Sequence, residues 1–288
     1  MNLARANRRP LHGALAAFLA LALAGCATID EKQREWIFQP SDRTWSGAAS
    51  ANEGMSDVWI AFTPRGAVGA PVTLHGLWLA QPRADAPVLL YLHGARWDVR
   101  SSAQRMRRMH ELGFAVLGID YRGFGKSSAA LPSEASAHED ALAAWQWLAA
   151  QHPQSKRYLF GHSLGSAIAV RVAGDVDDAA GVIVEGSFTS IAEVVKTMKW
   201  GWLPVAPLIT QRFDAGAQIE RVKAPLLVVH GSQDHLIQPT LGRALYERAH
   251  APKRFVLVDG GTHHNTHALG HEAYRAAIAE LFGVRAMN

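Results

Sequence analysis

The pentapeptide Gly161-His162-Ser163-Leu164-Gly165 joins two stretches of different character. The residues before it end in the β-type sequence Tyr-Leu-Phe, and those after it are mostly small, apolar and compatible with a helix. A strand that runs straight into a helix through Gly-x-Ser-x-Gly places the serine on a tight, strained turn, with its hydroxyl above the sheet. Side chains in place of the two glycines would collide with the neighbouring strand and helix. The helix also aims its first backbone amides at the serine, where they favour negative charge.

The pentapeptide alone is a weak signal, since about 0.1 copies are expected by chance in a chain of this composition. The rest of the chain supplies the context, because short and continuously apolar runs recur as they do in buried parallel strands. These runs cover residues 88–92, 115–119, 181–184, 226–229 and 255–258, and an alternating pair at 58–62 and 72–79 indicates a hairpin. Helix-compatible segments separate the runs at 100–112, 136–150, 240–249 and 272–282. Alternating strands and helices predict an α/β protein with a mostly parallel sheet.

Reactive side chains follow the predicted strands, at the carboxyl edge where parallel sheets collect their functional groups. Ser163 follows one strand, Asp234 follows a later one, and the adjacent pair His263 and His264 follows the last. The order serine, aspartate, histidine differs from the orders in chymotrypsin and subtilisin.

Five motifs carry a resemblance to a known family. In chain order they are His93-Gly94-Ala95, the stretch DYRGFGKS from Asp120, the pentapeptide at Ser163, the stretch PLLVVHGSQD that ends at Asp234, and VDGGTHHN from Val258. With these motifs the chain resembles the α/β-hydrolases of the serine-hydrolase type, similar to ABHD-type hydrolases and their bacterial relatives. The resemblance spans nearly all of residues 58–282. It implies the α/β-hydrolase fold, with a central sheet of about eight strands, helices on both faces and a small helical cap.

The resemblance also implies roles for individual residues. Ser163 is the expected nucleophile, His263 its general base, and Asp234 the acid that orients the imidazole. The family spacing Val-x-Gly-x-x-His favours His263 over His264. The acid of the family follows the strand before the histidine, which favours Asp234 over the other carboxylates that follow strands, Glu185 and Asp120. Alternatively, Asp234 caps the helix that begins near Pro239.

The oxyanion hole is expected from two backbone amides, those of Ala95 and Leu164. Ala95 follows His93-Gly94, and Leu164 follows the nucleophile. His93 itself is interpreted as a structural residue that fixes its loop.

About forty residues separate the strand ending near Val184 from the one beginning at Leu226, longer than a simple crossover. We interpret residues 188–222 as the cap insertion. Its apolar residues favour an acyl or otherwise hydrophobic substrate, or simply complete the core; they are Met198, Trp200, Trp202, Leu203, Pro204, Val205, Pro207, Leu208 and Ile209.

The N-terminus has the pattern of a targeting segment. Arg5, Arg8 and Arg9 precede an apolar run over residues 11–24, which is short for a bilayer span but suits a signal peptide. Leu-Ala-Gly-Cys26 then resembles the lipobox of bacterial lipoproteins, and Cys26 is the only cysteine of the chain. We therefore predict a lipoprotein signal peptide at 1–25, a tether leading into the domain at 26–52, and the hydrolase domain at 53–288. Ala27 favours the outer membrane, on its periplasmic face, and the alternative is a plain signal peptide or short anchor.

Composition excludes other classes of function. Without Arg5, Arg8 and Arg9 the chain has 26 basic and 25 acidic residues, so its charge does not predict a nucleic-acid partner. No metal or nucleotide motif is present, and no cofactor is expected. The predicted function is a serine hydrolase that cleaves the carboxylic ester or thioester bond of a small-molecule substrate, acyl or otherwise hydrophobic, through an acyl-enzyme. The alternatives are a small peptidase or amidase of the same fold, and a non-catalytic, lipid-anchored binding protein.

Overall fold

The computed structural model describes residues 25, 27–43, 52–64, 71–199, 201–250 and 252–285. The predicted lipidation site, Cys26, and one residue of the predicted cap, Trp200, lie outside these residues.

The described strands form a single eight-stranded sheet, as predicted. They are β1 (Ser56–Phe62), β2 (Val72–Leu79), β3 (Val88–Leu92), β4 (Ala115–Ile119), β5 (Arg157–His162), β6 (Ala179–Glu185), β7 (Leu226–Gly231) and β8 (Lys253–Val258). Their spatial order is β1-β2-β4-β3-β5-β6-β7-β8. The β1–β2 and β2–β4 pairs are antiparallel, and every pair from β4 to β8 is parallel. The carboxyl ends of six parallel strands therefore share one edge, with β5 near its centre.

Helices cover both faces of the sheet, because the central strands are apolar on both sides. The helices are α1 (27–38), α2 (Ala103–Glu111), α3 (Glu134–Gln151), α4 (Leu164–Asp175), α5 (Ile191–Lys196), α6 (Ala215–Gln218), α7 (Pro239–Arg248), α8 (Thr266–Leu269) and α9 (His271–Phe282). Buried residues of α1, α3, α4, α6 and α7 join one core, and those of α2 and α9 join the other. Along β3, Leu90 belongs to the first core, whereas its neighbours Leu89 and Tyr91 belong to the second.

The predicted cap insertion consists of short elements between β6 and β7. It contains α5, α6 and two single 3₁₀ turns, Ala206–Leu208 and Ile219–Arg221. The Phe213 amide donates to the Glu134 carboxylate over 3.0 Å, and the side-chain oxygen of Gln211 accepts from the Glu134 amide over 2.7 Å. These contacts attach the insertion to the start of α3.

The segment predicted as a tether contains a helix that packs on the domain. In α1 Ile37 and Phe38 are buried, and the Phe38 ring contacts Phe124 and Phe213 with centroid distances of 6.4 and 5.6 Å. Phe38 is fully buried, although the segment that contains it is mixed in composition and shows no clear periodicity. No helix in the described part of the chain combines the length and apolar character needed to cross a bilayer.

The packing of α1 predicts a measurable contribution to stability. We expect Phe38→Ala to lower the free energy of unfolding by about 3–5 kcal/mol, because the lost ring leaves a cavity between two other aromatic rings. Trp36→Ala, on the exposed side of the same helix, is the control and should change it by less than about 0.5 kcal/mol. Urea denaturation followed by circular dichroism measures both. Equal stability of the two variants would mean that α1 is a tether after all.

Candidate active site

Ser163 lies on a strained turn between β5 and α4. Its backbone has φ 54° and ψ −124°, a conformation that a non-glycine residue adopts only when its neighbours hold it there. Its amide donates to the Glu185 carbonyl at the end of β6 over 2.9 Å. A Cβ on Gly161 would lie 2.3 Å from the Gly165 carbonyl oxygen, and one on Gly165 would lie 2.1 Å from the Leu92 oxygen. Both glycines are therefore required by close backbone approach, as the sequence indicated.

The two amides expected to form the oxyanion hole flank this serine. A Cβ on Gly94 would lie 3.0 Å from the Ser163 Cβ, so the loop that contains Ala95 passes directly beside the serine. Leu164 is the first residue of α4. Among the contacts of the described residues, neither the Ala95 amide nor the Leu164 amide has an intramolecular acceptor. Both donors are thus free to bind an oxygen of a ligand.

His263 is held by Asp234. The Nδ1 atom of His263 lies 2.7 Å from Oδ2 of Asp234, and both side chains are buried. The other oxygen, Oδ1, accepts from the amides of Leu236 and Ile237 over 3.0 and 2.9 Å, so the carboxylate also fixes its own loop. It makes no cap hydrogen bond at the start of α7, whose N-cap is Gln238. Burial raises the pKa of Asp234, but hydrogen bonds with His230 and His263 outweigh it and hold that pKa below its ordinary value.

The neighbouring histidine, His264, points elsewhere. It is exposed, and its ring is perpendicular to that of His263, with a centroid distance of 5.5 Å. Of the two, only His263 has the carboxylate partner that fixes a tautomer with Nε2 free to accept a proton.

Ser163 and His263 come to the same edge of the sheet. A Cβ on Gly186, the residue after the one that accepts from the Ser163 amide, would lie 3.1 Å from Cε1 of His263. Within the described residues, no hydrogen bond joins the Ser163 hydroxyl to the His263 imidazole. Such bonds are often long in hydrolases without substrate and shorten when substrate binds.

A buried ion pair supports the loop of His263. Arg105, on α2, donates from Nε to the Glu185 carboxylate over 2.8 Å, and its Nη2 donates to the carbonyls of His263 and His264 over 3.1 Å each. The Tyr274 hydroxyl donates to the second oxygen of Glu185 over 2.5 Å. Burial raises the pKa of Glu185, but the Arg105 charge, together with that of His267 and the hydrogen bonds from Tyr274 and Arg105, outweighs it, so the pKa is lowered and the carboxyl stays ionised.

His162 also supports the loop that contains His263. Its Nε2 lies 3.1 Å from the His263 carbonyl, an acceptor, so this nitrogen carries the proton. Burial, followed by the charges of Arg105 and His263, holds the pKa of His162 well below its ordinary value, and the ring is neutral.

The other polar residues that follow strands are structural. Asp120 lies 3.1 Å from Nδ1 of the buried His75 and accepts from the Val99 amide over 2.7 Å. His93 lies against Tyr121 and Phe124, and its Nδ1 lies 2.6 Å from the Gly94 carbonyl, consistent with the role expected for it in fixing the loop.

Sequence reasoning missed Arg105, His162 and His230. His230 contacts the Asp234 carboxylate at 3.4 Å and the Ile237 carbonyl at 2.8 Å. Arg105 is one of several basic residues in a helix with charged neighbours, and nothing in the pattern distinguishes the buried one. The strongest signal available was the position of Glu185 at the end of a buried strand, which requires a cation nearby.

Two further features are separate from this site. No cluster of three or more potential metal ligands occurs within the described residues. A surface cavity of about 420 Å³, lined in part by Lys156, Ala179 and Pro225, lies at the amino ends of β5, β6 and β7, across the sheet from Ser163.

Comparison with known sequences agrees with this geometry. Residues 83–214 and 205–268 match the family described as serine aminopeptidase, S33. An uncharacterized protein of Mycobacterium tuberculosis is 33% identical over 274 residues, which cover 93% of this chain and 92% of that protein. The lysophosphatidylserine lipase ABHD12 of Danio rerio is 30% identical over 204 residues, covering 60% of this chain. The aligned region is about half of that lipase, 53% of its length.

Solved structures share the fold at low sequence identity. The esterase Pf2001 of Pyrococcus furiosus superposes with a TM-score of 0.65 and 20% identity, covering 84% of this chain and 96% of the esterase. Est1E of Butyrivibrio proteoclasticus, solved with ferulic acid, gives a TM-score of 0.65 at 18% identity, with 78% and 99% coverage. These matches confirm the predicted fold.

The buried pair of Arg105 and Glu185 predicts a large stability effect. Arg105→Met leaves a buried carboxylate without its cation, and we expect the free energy of unfolding to fall by about 3–5 kcal/mol. The double variant Arg105→Met, Glu185→Gln keeps an acceptor for Tyr274 and removes the charge, so it should be more stable than the single variant. Urea denaturation at neutral pH compares the three proteins. A single variant as stable as the parent would contradict the burial of this pair.

Proposed function

Because the chain belongs to the α/β-hydrolase superfamily of serine hydrolases, within the family described as serine aminopeptidase, S33, we propose that it cleaves carboxylic esters or thioesters with Ser163, His263 and Asp234 as its triad. The observation that carries the proposal is the 2.7 Å contact between His263 and Asp234, placed at the sheet edge where the strained turn presents Ser163. A turn serine without a function would not need such strain.

The proposed reaction proceeds through an acyl-enzyme. The Ser163 oxygen attacks the carbonyl carbon while His263 takes the hydroxyl proton, and the negative oxygen is bound by the amides of Ala95 and Leu164. Collapse of this intermediate breaks the bond to the alcohol or thiol, which leaves with the proton from His263. A water molecule then attacks the acyl-enzyme with His263 again as the base, releasing the acid and regenerating Ser163.

The substrate is proposed to be a small-molecule ester or thioester that carries an acyl or otherwise hydrophobic group. Relatives of the chain include lysophosphatidylserine lipases, and the segment predicted as the cap is rich in apolar residues. Both support an acyl group as the part that the enzyme recognises.

Amide cleavage is the second candidate, because the matching family is described as a serine aminopeptidase. The same triad attacks esters and amides, and the two reactions differ mainly in protonation of the leaving group. A panel of aryl esters, acyl thioesters and aminoacyl amides distinguishes them by kcat/KM.

The triad is tested with an active-site probe and single substitutions. A fluorophosphonate should label the protein, and Ser163→Ala should abolish labelling and lower ester kcat/KM by about 10⁴-fold or more. We expect His263→Ala to cause a comparable loss and His264→Ala, the matched control, to cost less than about tenfold. A folded parent protein that does not react with the probe would favour a non-catalytic binding protein, and loss of turnover in His264→Ala alone would reassign the base.

The location of the enzyme is proposed from its N-terminus. Lipidation of Cys26 would attach the chain to the outer membrane of a bacterial envelope, on the periplasmic face, since two or more acyl chains give stable anchoring. Cys26→Ser should block acyl transfer and leave the N-terminal segment uncleaved, as seen by mass spectrometry of the protein from membrane fractions. A mature N-terminus unchanged by this substitution would refute lipidation.

A further inference from the structure

One side of α1 presents large apolar side chains to solvent. Ile29 and Trp36 are seven residues apart, two helical turns, so they lie on the same face. Their exposed fractions are 44% and 53%, although the adjacent face buries Ile37 and Phe38 in the core. A 12-residue helix with apolar residues on its outer side is unusual for a surface in contact with water alone.

The cap continues this apolar surface. Gln33 lies between Ile29 and Trp36 on the same face, and its side chain donates to the Leu208 carbonyl over 2.7 Å and accepts from the Thr210 amide over 2.9 Å. Leu208 is therefore next to the helix, and 60% of its surface is exposed. Trp202 and Leu203 precede it in the same insertion, with exposed fractions of 74% and 39%. We call Ile29, Trp36, Trp202, Leu203 and Leu208 the apolar rim.

The apolar rim adjoins the candidate active site. The carbonyl of Phe38, the last residue of α1, accepts from the Arg96 amide over 2.9 Å. Arg96 directly follows Ala95, one of the proposed oxyanion donors, and the next residue, Trp97, is 40% exposed. The carboxyl-terminal end of the helix, two residues after Trp36, is thus attached to the loop that flanks Ser163.

The sequence before α1 indicates what covers this surface. The basic and apolar leader ends at Cys26, and Ile29, near the start of α1, follows three residues later in the sequence. A lipid on Cys26 would hold the first turn of α1 at the membrane. Tryptophan and leucine side chains are well suited to the boundary between head groups and acyl chains.

We propose that the apolar rim docks onto the lipid bilayer, with α1 lying in the interface and the entrance of the active site turned toward the membrane. This inference rests on the proposed hydrolase function and envelope location, and extends them. Substrate is then drawn from the bilayer, so the enzyme prefers acyl esters that partition into lipid over equally reactive esters in water.

Tryptophan quenching tests the docking without reference to activity. The full-length protein, extracted from membranes of producing cells, is reconstituted into phosphatidylcholine vesicles with brominated acyl chains, which quench tryptophans in contact with them. We expect Trp36→Phe and Trp202→Phe each to reduce the quenched part of the emission. Trp59→Phe is the matched control, because Trp59 is 52% exposed but lies on β1 at the edge of the sheet, and it should leave the quenched part unchanged.

Unchanged quenching in both Trp36→Phe and Trp202→Phe would overturn the proposal. Cross-linking then identifies the true occupant of the surface. A cross-link between two protein molecules would assign the apolar rim to a second copy, and one within the chain would assign it to another segment of this protein.

Kinetics provide a second test. The rate on an acyl ester dissolved in vesicles is divided by the rate on a water-soluble aryl ester, so that effects on the chemistry cancel. Leu208→Ser should lower this ratio by about tenfold, since one leucine no longer enters lipid, whereas Leu257→Ser, 52% exposed on β8, should not. An equal ratio in both variants contradicts docking. If the unsubstituted protein hydrolysed neither ester, the proposed function would be refuted. The quenching result would still show whether the apolar rim contacts lipid.

Discussion

The strained turn at Ser163 is the constraint on which the arrangement of the site depends. Its positive φ is maintained because α4 packs so closely on the sheet that Gly165 touches the end of β3 and Gly161 touches α4 itself. That closeness is possible because the first turns of α4 carry small residues, which are buried on nearly all sides. The same packing brings the loop after β3 beside the serine. One backbone conformation thus positions the proposed nucleophile and the two proposed amide donors together.

A buried ion pair links this turn to the histidine loop. Glu185 accepts the Ser163 amide with its carbonyl and the Arg105 guanidinium with its carboxylate, and Arg105 in turn donates to the His263 carbonyl. Burying two charges is costly unless their hydrogen bonds are satisfied, and here Tyr274 satisfies the remaining carboxylate oxygen. The backbones of Ser163 and His263 are therefore linked through this one ion pair, although the two residues are 100 positions apart in the chain.

Much of the fold was predictable from the sequence because central parallel strands must be apolar on both faces. The runs at 88–92 and 115–119 coincide with β3 and β4 residue for residue. The spacing that favoured His263 over His264 agrees with the Asp234 contact, since only one of two adjacent residues points to the sheet edge. Arg105 could not be predicted, because its burial depends on α2 packing against a distant carboxylate. The helical, packed state of α1 was also missed, since its few buried residues are interspersed with charged ones that pair locally, such as Lys32 and Glu35.

The hydrogen bond from the Arg96 amide to the Phe38 carbonyl has a consequence for how this enzyme can be handled and how it can vary. Arg96 has φ 83°, so its loop has an unfavourable backbone geometry that this acceptor helps to maintain. A version of the protein trimmed of everything before β1 would lose this acceptor. Helix α1 and the loop of Arg96 are for this reason a single inherited unit, and exchanging the N-terminal segment between relatives also changes a contact of the candidate active site.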